Sequence, residues 1–346
     1  MLRMTPRPLR VLFLALFFGL LILQGKTSRA PERLSDDGAV QRAAAPWANG
    51  VHTWTWAADS LRDLFDRWLP GWRADPFALR CALGIPAPEL WEAHALAKAS
   101  LLQQIEALTG CGLDPETLTV GIARRMTAYK RNTLVLRDLE RLNAIARRVG
   151  GLQLVFAGKA HPRDLTGKEQ IRDVFAAARR CGSDLRIVYV PDYDMDLARL
   201  LVGGVDLWLN TPRKPKEASG TSGMKAAVNG VPQLSTLDGW WLEGHVEGIT
   251  GWSIGDRSRE SGDDAAEAAE LYSKLEHDIA PLFYEDRAAW RQLMQHAIAI
   301  NGSFFTAHRM VQQYAVNAYF AEDEAALTRS SAGAGGITTA VQGHAP

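Results

Sequence analysis

Cysteine is scarce in this chain of 346 residues: Cys81, Cys111 and Cys181 are odd in number and widely spaced, with no Cys-x-x-Cys pair and no histidine at zinc spacing. This argues against a disulfide framework and a metal site, and leaves three thiols expected to be ordinary and buried. An excess of either charge is also missing. With 39 basic and 39 acidic residues the formal net charge is zero, so the chain shows no electrostatic footprint for nucleic acid and no acidic tail. Long apolar runs are absent too: Val11 to Leu23 spans 13 residues, short of the roughly 20 that a membrane-crossing helix needs. No solenoid-type repeat appears. What the sequence does have is apolar content, 47%, ample for a core.

From Thr117 onward, short β-rich runs alternate with helical patterns. Leu118 to Ala123, Leu152 to Ala157, Leu185 to Val190, Val205 to Asn210 and Gln233 to Leu237 read as strands. Leu134 to Arg148, Lys168 to Arg180 and Leu197 to Val202 have helical spacing between them, and Asp264 to Glu276, Ala288 to Ile298 and Thr306 to Phe320 follow. The last is amphipathic and is expected to pack back on the domain. The alternation predicts an α/β fold, a single Rossmann-like domain with a parallel sheet, helices on both faces and right-handed crossovers. The expected segments are a leader and linker over 1–46, a helical connecting region over 47–116, the Rossmann-like domain over 117–322 and a disordered tail over 323–346.

Chemistry concentrates in Glu217-Ala218-Ser219-Gly220-Thr221-Ser222-Gly223-Met224-Lys225, which follows the strand candidate ending at Asn210 and runs into a helix expected from Met224 to Val228. Small residues, two hydroxyls and backbone N–H groups at a helix start suit an anion. The carboxyl end of a parallel strand is where open α/β sheets bind ligands. Lys225 itself has two readings at this point: a solvated lysine at a helix start, or an amine in a partly dry pocket, its ammonium form disfavoured, able to react with an aldehyde cofactor. A second cluster, Gly121-Ile122-Ala123-Arg124-Arg125-Met126-Thr127-Ala128-Tyr129-Lys130-Arg131, follows the apolar run Leu118 to Val120. Alone it reads as a solvated basic turn.

Together these clusters resemble the α-glucan phosphorylase family, in particular its shorter bacterial and archaeal branch. Asn49-Gly50-Val51-His52, Phe156-Ala157-Gly158-Lys159-Ala160-His161-Pro162, Asp192-Tyr193-Asp194, Leu237-Asp238-Gly239-Trp240-Trp241 and Ser303 to Val311 recur in the same order, so that the resemblance covers roughly Asn49 to Tyr319. It implies the carboxyl-terminal half of a two-domain GT-B glycosyltransferase fold and phosphorolysis of terminal α-1,4-linked glucosyl units to α-glucose 1-phosphate. It further implies pyridoxal phosphate on Lys225, with Thr221, Arg124, Tyr129, Tyr193 and Gly220 as cofactor neighbours. Arg125 holds the substrate phosphate as a bidentate fork and Lys130 neutralises the cofactor phosphate. Asn49 and Glu217 meet glucosyl hydroxyls. The ligands implied are an α-1,4-glucan and inorganic phosphate; the family's amino-terminal domain, which supplies the opposite wall of the cleft, is not recognised in this sequence, and a separately encoded copy, a fragment of a longer protein and a mis-started gene are the alternatives. Two other readings are a non-catalytic module that binds cofactor or glucan, and a nucleotide-sugar glycosyltransferase; a lysine closing the loop argues against the latter.

His52 and His161 are assigned no chemistry, and adjacent Trp240 and Trp241, on a segment expected to be extended, would leave at most one facing a ligand. Arg3, Arg7 and Arg10 ahead of the apolar run Val11 to Leu23, with Ser28-Arg29-Ala30 beyond it, match a secretory signal. Pro31 after that site and the cytosolic setting of the resembled family point instead to a cytoplasmic domain, with a membrane anchor or export as the alternatives.

Overall fold

The computed structural model describes residues 49–256 and 262–319. The apolar run 11–23 and the tail 323–346 lie outside the described residues. Six parallel strands form one sheet: β1 Thr119–Ala123, β2 Leu152–Ala157, β3 Leu185–Val190, β4 Leu207–Asn210, β5 Gln233–Thr236 and β6 Gly251–Ile254, in the order β3-β2-β1-β4-β5-β6. Five of these fall where the β-rich runs predict them, while β6 was not anticipated. It is short and opens on glycine. Gly251, at φ 147, lies so close to Gln233 that a Cβ would come within 2.0 Å of its carbonyl oxygen, a backbone approach no larger residue permits.

Alternate strand residues feed two cores on opposite faces of the sheet, as the twofold period of a strand requires. On one face Val120, Ile122, Leu154, Phe156, Leu207, Leu209 and Leu234 pack with Leu142, Ile145 and Val174 of the helices Leu139–Val149 and Leu165–Ala178. On the other, Ala123, Val155, Val188, Val190 and Trp208 meet Leu101, Leu102 and Ile105 of the helix Ala87–Thr109 and Leu197, Leu201 and Val202 of Met195–Gly204. Residues ahead of β1 join the first core directly, through Leu61, Leu64, Phe65 and Leu90.

A buried ionic cluster fastens the helix Ala87–Thr109 to the sheet. Asp206, just before β4, accepts from Lys98 Nζ at 2.6 Å and from the Thr119 N–H at 2.8 Å, and it lies 2.9 Å from His94 Nε2. Burial would raise the Asp206 pKa, but the Lys98 charge and the His94 hydrogen bond outweigh it and hold the carboxyl below its usual range.

Several local expectations change. The pattern from Leu134 resolves into a tight turn, Leu134–Leu136, and a helix that starts only at Leu139, because the Asp138 carboxylate caps it by accepting the Arg141 N–H. The expected extended segment at Trp240 is a helical turn. Both indoles are buried in the core, Trp240 tilted on Trp241 and edge-on to Phe305, so neither is a sugar platform. Cys81 is exposed, and Cys111 and Cys181 are partly so, rather than buried. The helix Ala307–Tyr314 is tied down at its start, where Val51 and Ala307 exchange backbone bonds with their neighbours, but none of its residues is buried. Among the described residues no helix is long and apolar enough to cross a membrane.

Candidate functional site

In the order β3-β2-β1-β4-β5-β6 the winding reverses between β1 and β4, and the crevice beyond the carboxyl ends of such a pair is the usual ligand site. The two motif clusters leave the sheet at this place. Arg124 to Arg131 follows β1, and the glycine-rich loop follows β4.

The basic loop is held from several sides. The N–H groups of Arg124 and Met126 donate to the carbonyls of Ala157 and Lys159, both at 3.1 Å, continuing the β1–β2 ladder past its end. Gly158 makes that approach possible: its φ is 151 and a Cβ there would lie 2.0 Å from the Arg124 carbonyl oxygen. Thr211, just after β4, links the loop to its neighbour, accepting from Arg124 Nη2 at 3.0 Å and donating to the Arg131 carbonyl at 3.0 Å. Arg131 returns the contact by donating to the carbonyls of Thr211 and Pro212, and it pairs with Asp264 and Glu267. Asn132 accepts from Arg124 Nε and donates to the Arg125 carbonyl.

The lysine loop is fixed by the segment after β5. The Glu217 N–H donates to Asp238 Oδ2 at 2.8 Å, the Gly239 N–H to Asp238 Oδ1 at 2.9 Å, and the Trp240 N–H to the Ser219 carbonyl at 2.8 Å. Gly220 takes a left-handed conformation, φ 85, and turns the chain into the helix Thr221–Val228, three residues earlier than expected and with no side chain capping its first turn. Lys225 therefore sits inside the helix. Its ammonium lies over the Trp56 indole, 3.5 Å from the ring centroid. Asn229 holds that pairing in place by donating to the carbonyls of Trp56 and Lys225 and accepting the Ala58 N–H.

The two loops meet. Lys130 Nζ and the Glu217 carboxylate form a buried ion pair, and the Arg213 N–H donates to the Tyr129 carbonyl at 2.7 Å. The sequence-predicted site residues thus divide. Lys130 and Glu217 touch each other, and Arg124 joins them through Thr211, whose hydroxyl also lies 3.3 Å from the Lys130 carbonyl. Arg125 is exposed, and Thr221, Tyr129 and Tyr193 are half-buried. Asn49 is exposed at the edge of the described chain, its carbonyl accepting from Arg309 Nη2 at 3.0 Å.

Electrostatics mark the site as short of negative charge. Burial pushes the Arg124 guanidinium down to about 9, with Glu217 opposing and Arg131 adding to the fall. Its Nη1 is buried and has no hydrogen-bond partner. A buried cation with an unused donor calls for an anion. Burial also lowers the Lys225 pKa and raises those of the Tyr193 phenol and the Asp238 carboxyl. These features fit a phosphate-bearing aldehyde: an amine biased toward its neutral form, an uncapped helix start and a buried arginine with a free donor. Sequence reasoning missed Thr211, Asn132, Trp56 and Asp238. Asp238 stands in a quoted motif and Asn132 directly follows one, whereas no pattern ties Trp56 to Lys225.

An all-parallel sheet with a cationic loop after β1 and a lysine-bearing glycine loop after β4 defines a Rossmann-like α/β protein with both loops at its switch point. Residues 87–247 match the family model of carbohydrate phosphorylase. The chain is 43% identical over 286 residues to maltodextrin phosphorylase of Thermococcus litoralis, covering 77% of this chain and 34% of the relative. It is 39% identical over 305 residues to glycogen phosphorylase of Aquifex aeolicus, covering 79% and 43%. With glycogen phosphorylase of Mycobacterium tuberculosis the identity is 36% over 343 residues, covering 90% and 39%. The chain is related to the carbohydrate phosphorylases, as its motifs imply, and its matches cover between 34% and 43% of these relatives' length.

Proposed function

We propose that this chain is the cofactor- and phosphate-binding part of an α-glucan phosphorylase, transferring terminal glucosyl units of an α-1,4-glucan to inorganic phosphate. The observation that carries the reading is the meeting of the two loops at the switch point, where Lys130 pairs with Glu217 and the buried Arg124 keeps a donor unused. Pyridoxal phosphate, when bound, supplies a phosphate group that exchanges a proton with the substrate phosphate. Lys225 anchors that cofactor, and the Thr221 hydroxyl with the N–H groups of the uncapped first turn binds its phosphate. Arg124 and Lys130 add fixed positive charge, which two neighbouring phosphates need to overcome their repulsion. Tyr129 supports the loop and Tyr193 lines the ring.

Arg125, exposed beside this cluster, takes the incoming phosphate as a planar fork. Glu217 and Asn49 orient glucosyl hydroxyls, and Gly220 leaves room for close approach of sugar or phosphate. A further phosphorylase segment supplies the opposite wall of the cleft.

The test is an assay for glucose 1-phosphate from maltoheptaose and phosphate, with pyridoxal phosphate present. The protein is purified through a tag from its own cells so that any partner stays bound. Release that is lost on Arg125→Ala supports the reading. No release, or turnover of a nucleotide sugar untouched by Arg125→Ala, contradicts it.

A further inference from the structure

Beside the loops that leave the carboxyl ends of β1 and β4, two adjoining cavities open between the segment after the basic loop and the helices Leu165–Ala178 and Asp264–Lys274. One, of about 490 Å³, is lined by Arg131, Thr133, Gln170 and Asp173 among others. The second, of about 480 Å³, is lined by Asp138, Glu140, Arg141 and Tyr272 among others. Each falls within the roughly 300–1,000 Å³ typical of small-molecule sites. Only four residues line both: Leu136, Arg137, Leu139 and Arg180. The join is therefore two leucines and two arginines.

The charges around the join separate into spent and unspent ones. Arg131 and Arg213 are spent on Asp264, Arg131 also on Glu267, and Asp138 caps a helix. Arg141 lies 3.9 Å from Glu276 and over the Tyr272 ring. Arg137 and Arg180 are exposed, and neither guanidinium has a hydrogen-bond or ion-pair partner among the described residues. Glu140 lines one cavity only and Asp173 the other, so neither is among the four residues of the join.

We propose that this cleft binds an organic phosphomonoester, its phosphate bridging Arg137 and Arg180 and its apolar body lying on Leu136 and Leu139. Two forks on separate elements suit a group with three terminal oxygens and a charge of about −1.5 to −2 near neutrality. A carboxylate carries one charge, which a single bidentate arginine satisfies. The cleft shares a wall with the candidate site, since Arg131 lines it and is the next residue after Lys130. The proposal stands independently of the phosphorylase reading.

Calorimetric titration of the full chain with phenyl phosphate tests it, in an Arg125→Ala background that removes the exposed guanidinium of the candidate site. Saturable binding is expected, weakened by about tenfold or more when Arg137→Ala and Arg180→Ala are added together, with benzoate binding much more weakly. Absence of saturable binding, binding unchanged by the double substitution, or benzoate binding as tightly as phenyl phosphate would overturn the proposal.

Discussion

Lys130 and Glu217, 87 positions apart in the chain, form a buried ion pair that joins the loop after β1 to the loop after β4. Among the described residues neither partner forms another ion pair, although Glu217 also acts on the nearby Arg124 charge. Glu217→Gln leaves a largely buried ammonium unpaired and is expected to cost about 3–5 kcal/mol of stability, since breaking a buried pair exposes the full penalty of the remaining charge. Urea denaturation of the variant checks this, and a loss under about 1 kcal/mol would show the pair to be effectively solvated.

The amine of Lys225 titrates below the 10.5 of an ordinary lysine because burial disfavours its ammonium form. A lowered pKa raises the neutral, nucleophilic fraction at any given pH below it. Attachment of pyridoxal phosphate followed by absorbance across pH should therefore reach half its maximal rate at a lower pH than attachment to exposed lysines. The same curve measured on Lys225→Ala should fall back to the behaviour of ordinary lysines.

Gly239 has φ 54, and a Cβ there would lie 2.5 Å from the Ser219 carbonyl oxygen. Gly239→Ala must push the lysine loop away from the Asp238 turn that holds Glu217, on top of about 1 kcal/mol or more for a left-handed residue with a side chain. A weaker affinity for pyridoxal phosphate is expected, measured by fluorescence titration, while Gly248→Ala, where a Cβ meets nothing within 4 Å, should leave that affinity unchanged.

Four of the strands were legible because strands buried on both faces read as continuous apolar runs, and Gln233–Thr236 as a short β-rich segment; the strand order that places the two motifs at one switch point was not legible. Gly251–Ile254 was not anticipated, because, only four residues long and opening on glycine, it looks like part of the turn that precedes it. At the site, residues within a motif could be named in advance, but their partners could not. Trp56 reaches Lys225 only through the packing of the segment before β1, and Thr211 acts because β4 lies beside β1, an adjacency set by the topology. Glu217 and Lys130 were both named for ligand contacts, but their pairing with each other carries no sequence signal.

The Asp206 cluster makes a separate prediction for the fold. Its carboxyl is held below the usual value by Lys98 and His94 against the effect of burial, so its stabilisation is present above about pH 4 and is lost as pH falls through the lowered value. Asp206→Asn should cost about 3–5 kcal/mol at pH 7. The gap between variant and parent should stay constant from pH 7 to about 4 and begin to narrow only below that, as followed by denaturant midpoints.

Under the proposed function, Lys225 is the lysine that carries pyridoxal phosphate. Borohydride reduction of the protein incubated with the cofactor, followed by peptide mapping, measures it directly. A single modified peptide containing Lys225, lost in Lys225→Ala, is expected; label spread over several surface lysines and undiminished by that substitution would show that Lys225 does not hold the cofactor.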